Sequence, residues 1–172
     1  MKVNKKSGKV GIMCAWVLFT MYIITLFYFM FFSERYGRNI GYEGYNYNLK
    51  LFHEIHRFWK YREVLGVESV VVNLLGNIAG FIPFGAVLPF LSKKKKNIVF
   101  ITLLTFEFSL LIEVIQLISK AGCFDVDDLI LNTAGGIIGY LLYKLVACLN
   151  KVRMKRKRAE KKERYIPIRN ML

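Results

Sequence analysis

Asp125, Asp127 and Asp128 stand within four consecutive positions. Carboxylates that close together could hold Mg2+ or Ca2+ through their oxygens. Upstream of them, Glu113 and Gln116 share one helical face, one turn apart. Asn73 and Asn77 show similar spacing earlier in the chain, and Asp128 and Asn132 show it later. In an enzyme, Glu113 or Asp125 would serve as general base. No Ser-His-Asp or Cys-His set and no phosphate-cradling glycine loop accompanies them. Catalysis is therefore the weaker reading, and no residue is assigned to it from sequence.

The elements that must position these groups are apolar. Of 172 residues 55% are hydrophobic, yet 26 Lys and Arg stand against 12 Asp and Glu, a net charge of +14. Mean hydropathy is +0.34. A soluble basic protein does not combine these values, and a disordered chain is not 15% aromatic. Apolar and charged residues must be segregated along the chain. Four windows reach the roughly 20 residues that a membrane crossing needs, at 10–32, 69–91, 97–119 and 129–149. Apolar residues fill every side of them, which argues against a soluble bundle. The expected fold is an all-α membrane protein with four transmembrane helices. Residues 1–9 form a basic N-terminus, 33–68 a long loop, 69–149 a three-helix core and 150–172 a basic tail.

The first window follows four lysines but is too long for a signal-peptide core, and no small-x-small cleavage site follows it, so it reads as an uncleaved anchor. Cys14 lacks the small preceding residue of a lipoprotein signal. With Cys123 and Cys148 it offers no disulfide framework. Orientation follows the basic flanks. Four lysines precede the first window, four fill 93–96 and ten Lys and Arg lie from Lys151 onward; 33–68 holds six and 120–128 one. Both termini are expected in the cytoplasm, with 33–68 and 120–128 outside.

In the outer loop, a Tyr- and Gly-rich start (Gly37, Gly41, Tyr42, Gly44, Tyr45, Tyr47) implies irregular structure. From Leu49, the residues Leu51, Phe52, Ile55, Phe58 and Trp59 recur at helical spacing among Lys50, Arg57, Lys60 and Arg62. This pattern predicts an amphipathic helix in the outer interface. His53 and His56 could share a metal, but no typical zinc-ligand pattern surrounds them, and no metal is assigned. The basic tail directly follows a membrane helix. Attraction to anionic lipid, at about 1 kcal/mol per basic residue, accounts for it without nucleic acid.

Polar residues inside the windows carry the most information, because lipid excludes them unless they meet a partner or a wet cavity. Helix direction places Asn73, Asn77, Glu113, Gln116, Asp128 and Asn132 in the outer half, with Asp125 and Asp127 just above. Gly76 and Gly80 on the second helix, and Gly135, Gly136 and Gly139 on the fourth, offer surfaces for close helix approach. The expectation is an acid-lined pocket open to the outside; the competing reading is a hydrogen-bond network that only locks the bundle. A divalent cation at Asp125, Asp127 and Asp128 is a subsidiary expectation. Pro83 predicts a kink or a short unwound segment. Glu107 points to a different side of the third helix and has no assigned partner. Lys144 extends to the cytoplasmic interface and has no assigned role.

These residues resemble a known family. The run Asn73-Leu-Leu-Gly-Asn77-Ile-Ala-Gly-Phe81-Ile-Pro83-Phe84-Gly85 is similar to the Asn…Phe-x-Pro-Phe-Gly signature of VanZ-like membrane proteins. Glu113-Val-Ile-Gln116 resembles their Glu-x-x-Gln, and 124–139 resembles their Asp-x-x-Asp…Asn-x-x-Gly-Gly-x-x-Gly block. The resemblance covers roughly 48–143 and leaves Glu107 outside. It implies a multi-pass protein of the bacterial cytoplasmic membrane, in a family whose namesake is associated with teicoplanin resistance. It supplies no mechanism.

The leading functional reading is a non-enzymatic envelope protein that binds or masks an outer-leaflet lipid-linked wall precursor or a lipoglycopeptide. The alternatives are an enzyme acting on a lipid head group, or an oligomeric transporter or partner-binding module. Expected partners are the bilayer and anionic lipid at the tail, with no nucleic acid; oligomeric state is left open.

Overall fold

The computed structural model describes residues 5–32, 44–92 and 97–169. In chain order the elements are α1 (Lys5–Phe32), β1 (Asn46–Asn48), α2 (His53–Lys60), α3 (Arg62–Leu65), α4 (Val67–Leu91), α5 (Ile98–Ser119), β2 (Cys123–Asp125) and α6 (Val126–Arg169). The expected irregular segment at 33–43 and the lysine run 93–96 lie outside the described residues.

Four helices, α1, α4, α5 and α6, are long and apolar enough to cross a membrane. Long runs of Leu, Ile, Val and Phe favour this outcome, since a helix satisfies all its backbone groups internally where water is absent. Asn97 starts α5 by accepting the Phe100 N–H at 2.8 Å. At its other end Lys120 takes a left-handed conformation, φ 54°, and the chain turns back.

The fourth window is longer than the sequence suggests. α6 begins at Val126, not Leu129, and continues for 44 residues to Arg169. Asp125 Oδ1 accepts the Asp127 N–H at 2.8 Å and so caps its start. No glycine or proline occurs between Gly139 and Pro167, and the Lys, Arg, Glu and Ala there are good helix formers. At 1.5 Å per residue the helix is about 66 Å long, roughly twice a bilayer core. The basic tail continues a membrane helix.

Pro83 does not unwind α4, which is helical from Val67 through Leu91. Proline withdraws one N–H from the ladder. Tyr22 of α1 supplies a donor nearby, giving its hydroxyl to the Gly80 carbonyl at 2.6 Å. The carbonyl that Pro83 leaves without its N–H partner is that of Ala79, one residue earlier, so the tyrosine bond pins α1 to α4 beside the proline and does not replace the missing donor.

The tightest interface joins α4 and α6. A Cβ at Gly135 would lie 2.2 Å from the Ile78 carbonyl oxygen, and one at Gly139 would lie 2.0 Å from that of Ile82. On α4 it is Gly85 that meets α6, at 1.9 Å from the Gly136 carbonyl oxygen. Gly80 instead faces Leu26 of α1, and Gly76 is only half-buried. The expected pairing of glycine stripes is thus replaced by α6 glycines resting on α4 carbonyls, where the facing residue need not be small. Gly136 opens space for Thr105 of α5. Around this pair, Leu26, Met30, Phe81 and Ile112 form the apolar core, and Phe84 stacks on Phe108 at 4.8 Å.

A two-stranded parallel ladder, absent from the sequence-based expectation, closes one end of the bundle. Asn46, Tyr47 and Asn48 pair with Cys123, Phe124 and Asp125. It ties the segment before α2 to the α5–α6 connection.

Candidate functional site

Each aspartate of the cluster turns to a different partner. Asp127, fully buried, faces the start of α2. Its Oδ1 accepts the Phe52 N–H, and its Oδ2 accepts those of Glu54 at 2.8 Å and Ile55 at 3.3 Å. A helix start has N–H groups with no partner of their own, and its dipole favours negative charge there. Asp127 therefore caps α2 from a distant part of the chain. Phe52 adopts φ 61° to bring those groups around it.

Asp125 caps α6 as described and also takes the Asn48 side-chain amide at 3.2 and 3.3 Å. Its own N–H donates to Glu113 Oε2 at 3.0 Å. Burial lifts the Asp125 carboxyl to about 6; the Asp127 amide and Asn48 oppose the shift, and the Asp127 and Glu54 carboxylates add to it. Asp128 accepts the Asn77 side-chain amide, which links α6 to α4. Asn132 donates to Ser109 at 2.9 Å, linking α6 to α5. Gln116 donates to the Met30 carbonyl at 2.8 Å, linking α5 to α1. Asn73 sits half-buried one turn from Asn77.

The structure thus gathers the predicted polar residues at one end of the bundle but does not expose them. Glu113, Gln116, Asn132 and Asp127 are at most 1% exposed, and Asn77 and Asp125 are buried. They do not wall an open, acid-lined pocket. Asn77, Glu113, Gln116, Asp125, Asp127 and Asn132 are buried in a network that ties distant parts of the chain, with Asp128 half-buried at its edge. Of the two candidate bases, Glu113 is buried beneath the Asp125 backbone, whose N–H it accepts. Among the described residues no group of three or more His, Cys, Asp or Glu converges to hold a metal ion. Ser109 joins the network without having been foreseen. Its position on the stripe Ser109, Glu113, Gln116 is the signal that could have found it.

The open space lies above this network. A cleft of about 670 Å³ is lined by Asn46, Tyr47, Asn48, Lys50, His53 and Glu54, with Leu49 and Cys123. Its floor is held by Asn48, which grips Asp125, and by α2, which Asp127 caps. Glu54 bridges His53 Nδ1 at 3.3 Å and the Arg57 guanidinium. Carboxamides, an ammonium, an imidazole and a carboxylate in one concavity can donate to and accept from a polar head group of mixed chemistry. Cys123 adds no nucleophile at neutral pH. Desolvation first, then the carboxylates of Asp125, Glu54, Glu113 and Asp128, push its thiol up to about 11. Around the cleft, Tyr45, Leu49, Leu51, Phe52 and Trp59 are exposed. Arg62 lies over the Trp59 ring at 5.2 Å and Lys120 over Tyr45 at 5.3 Å. A second cavity, about 430 Å³ between α1, α4 and α6, is apolar and offers no comparable chemistry.

No solved structure matches this chain significantly. The chain is 32% identical over 132 residues to Protein VanZ of Enterococcus faecium, an alignment that covers 74% of this chain and 72% of that protein. A family model described as VanZ/LLP1 matches residues 19–147. That stretch contains α4, α5, both strands and the whole buried network with the cleft above it. By motif, extent and identity, this chain belongs to the VanZ/LLP1 family.

Proposed function

We propose that this protein works at the outer face of the bacterial cytoplasmic membrane, where its cleft binds the polar head of a membrane-anchored amphiphile. The favoured ligands are a lipid-linked wall component and a lipoglycopeptide of the teicoplanin type. The observation that carries this reading is a polar cleft set directly beside exposed aromatic and aliphatic side chains. Such a surface suits a ligand with one wet end and one apolar end. The charge distribution supports an orientation with both termini and the basic extension of α6 in the cytoplasm, where anionic lipid attracts it. The same orientation puts β1, β2 and α2 at the outer leaflet.

Membership of the VanZ family motivates the glycopeptide arm of the proposal. Expressed in a susceptible Gram-positive host, the protein is expected to lower teicoplanin susceptibility more than vancomycin susceptibility, because only teicoplanin carries a lipid tail for the apolar rim. Unchanged susceptibility to both drugs, with membrane expression verified, would remove the drug arm. Susceptibility tests with graded expression check it.

A further inference from the structure

The inward face of α5 carries Ile101, Thr105, Ser109, Ile112 and Gln116, all buried. The opposite face carries Leu103, Phe106, Leu111 and Val114, all exposed, as lipid contact requires. Glu107 stands in the middle of that apolar face, one turn from Leu103 and one turn from Leu111, and is itself exposed. It lies close to the centre of the 22-residue helix. It lines neither cavity described above, and among the described residues it makes no hydrogen bond or ion pair.

An acidic side chain at that depth is expensive in lipid, and such residues ordinarily face a bundle interior, a wet cavity or a partner. Among the described residues neither the bundle interior nor either cavity above reaches Glu107, and a second protein surface in the membrane would satisfy it. We propose that the Glu107 face of α5 is the contact between two copies of this chain. A copy inserted in the same orientation holds its own Glu107 at the same depth. Across a two-fold axis the same residue meets itself. A carboxyl group that carries its proton is both donor and acceptor, so two of them satisfy each other. Leu103 and Leu111, one turn to either side, pack around the polar pair. Polar side chains within a membrane can act as such interhelical links. The chain offers no intramembrane cation at that depth to favour another pairing, since Lys144 lies on α6 towards its basic end.

The test uses the full chain in native membranes, with Cys14, Cys123 and Cys148 replaced by serine and two differently tagged copies co-expressed. The tagged copies are expected to co-purify. Leu103→Cys and Leu111→Cys are expected to cross-link on oxidation, and Leu75→Cys on the exposed face of α4 is not. Glu107→Gln, which can still donate and accept, should keep the dimer. Glu107→Leu should weaken it about tenfold. Leucine is better tolerated by lipid than glutamate, so this variant should accumulate at least as well as the parent. The proposal is overturned if the copies do not co-purify, if Glu107→Leu dimerises as well as the parent, or if Leu75→Cys cross-links equally. Cross-linking of Leu103→Cys to a different membrane protein in place of the second copy also overturns it.

Discussion

Asp127→Ala is expected to release α2 from the end of the bundle and to lower the stability of the protein by about 2–4 kcal/mol. The reason lies in the three backbone N–H groups of Phe52, Glu54 and Ile55, which share this one buried carboxylate. Each donor left unsatisfied while buried costs about 1–3 kcal/mol, and loss of a helix cap alone typically costs about 1 kcal/mol. The full sum is not expected, because water reaches the helix start once it lifts. Asp127→Asn keeps one good acceptor oxygen and should fall between alanine and the parent. Hydrogen exchange along α2, with the thermal midpoint in detergent, measures both effects. Unchanged protection of the Glu54 and Ile55 amides in the alanine variant would show that the cap does not hold the helix.

Gly139→Ala and Gly85→Ala are expected to be strongly damaging methyl additions. The new carbons would sit 2.0 and 1.9 Å from backbone carbonyl oxygens of the opposing helix, too close for any real contact, and backbone cannot rotate aside. The helices must separate, opening gaps in the best-packed interface of the molecule. Overpacking of a well-filled core costs about 1–3 kcal/mol, and a clash against backbone belongs at or above the top of that range. Both variants should accumulate poorly. Gly80→Ala provides the contrast. Its carbon would meet a mobile Leu26 methyl at 3.3 Å, so a change within about 1 kcal/mol is expected. Gly11→Ala meets nothing within 4 Å and should be neutral or better, since alanine favours helix. Membrane abundance and thermal midpoints of the four variants test this order.

The four long helices were legible because composition alone decides them, whatever they pack against. Helix direction and rise also group Asn73, Asn77, Glu113, Gln116, Asp128 and Asn132 from sequence, and the structure holds Asn77 against Asp128 and Asn132 against Ser109 at one end of the bundle. Two things were not legible. The first was the partner of each acid. Sequence shows Asp125, Asp127 and Asp128 as a tight cluster, which suggests a shared cation. In the structure they accept from the N–H groups of Phe52, Glu54, Ile55 and Asp127 and from the amides of Asn48 and Asn77. Backbone donors leave no mark in a sequence. The second was the β1–β2 ladder. Its strands are three residues long, Asn-Tyr-Asn and Cys-Phe-Asp, too short for any alternating pattern, and Asn48 and Asp125 are 77 positions apart. The candidate site therefore lies elsewhere than the acid cluster. The acids hold the cleft in place, and residues with weak sequence signals, such as Asn46, Lys50 and His53, line it.

On the proposed function, ligand binds in the cleft and not at the buried acids. The most direct measurement is a binding titration with protein in nanodiscs, using fluorescent teicoplanin and, separately, a lipid-linked wall precursor. The parent is compared with Lys50→Glu/His53→Glu, whose substitutions are exposed and spare the network beneath. Saturable binding of at least one probe by the parent is expected, with binding about tenfold or more weaker in the cleft variant at an unchanged thermal midpoint. Absence of binding to either probe, or equal binding by parent and cleft variant, would contradict it.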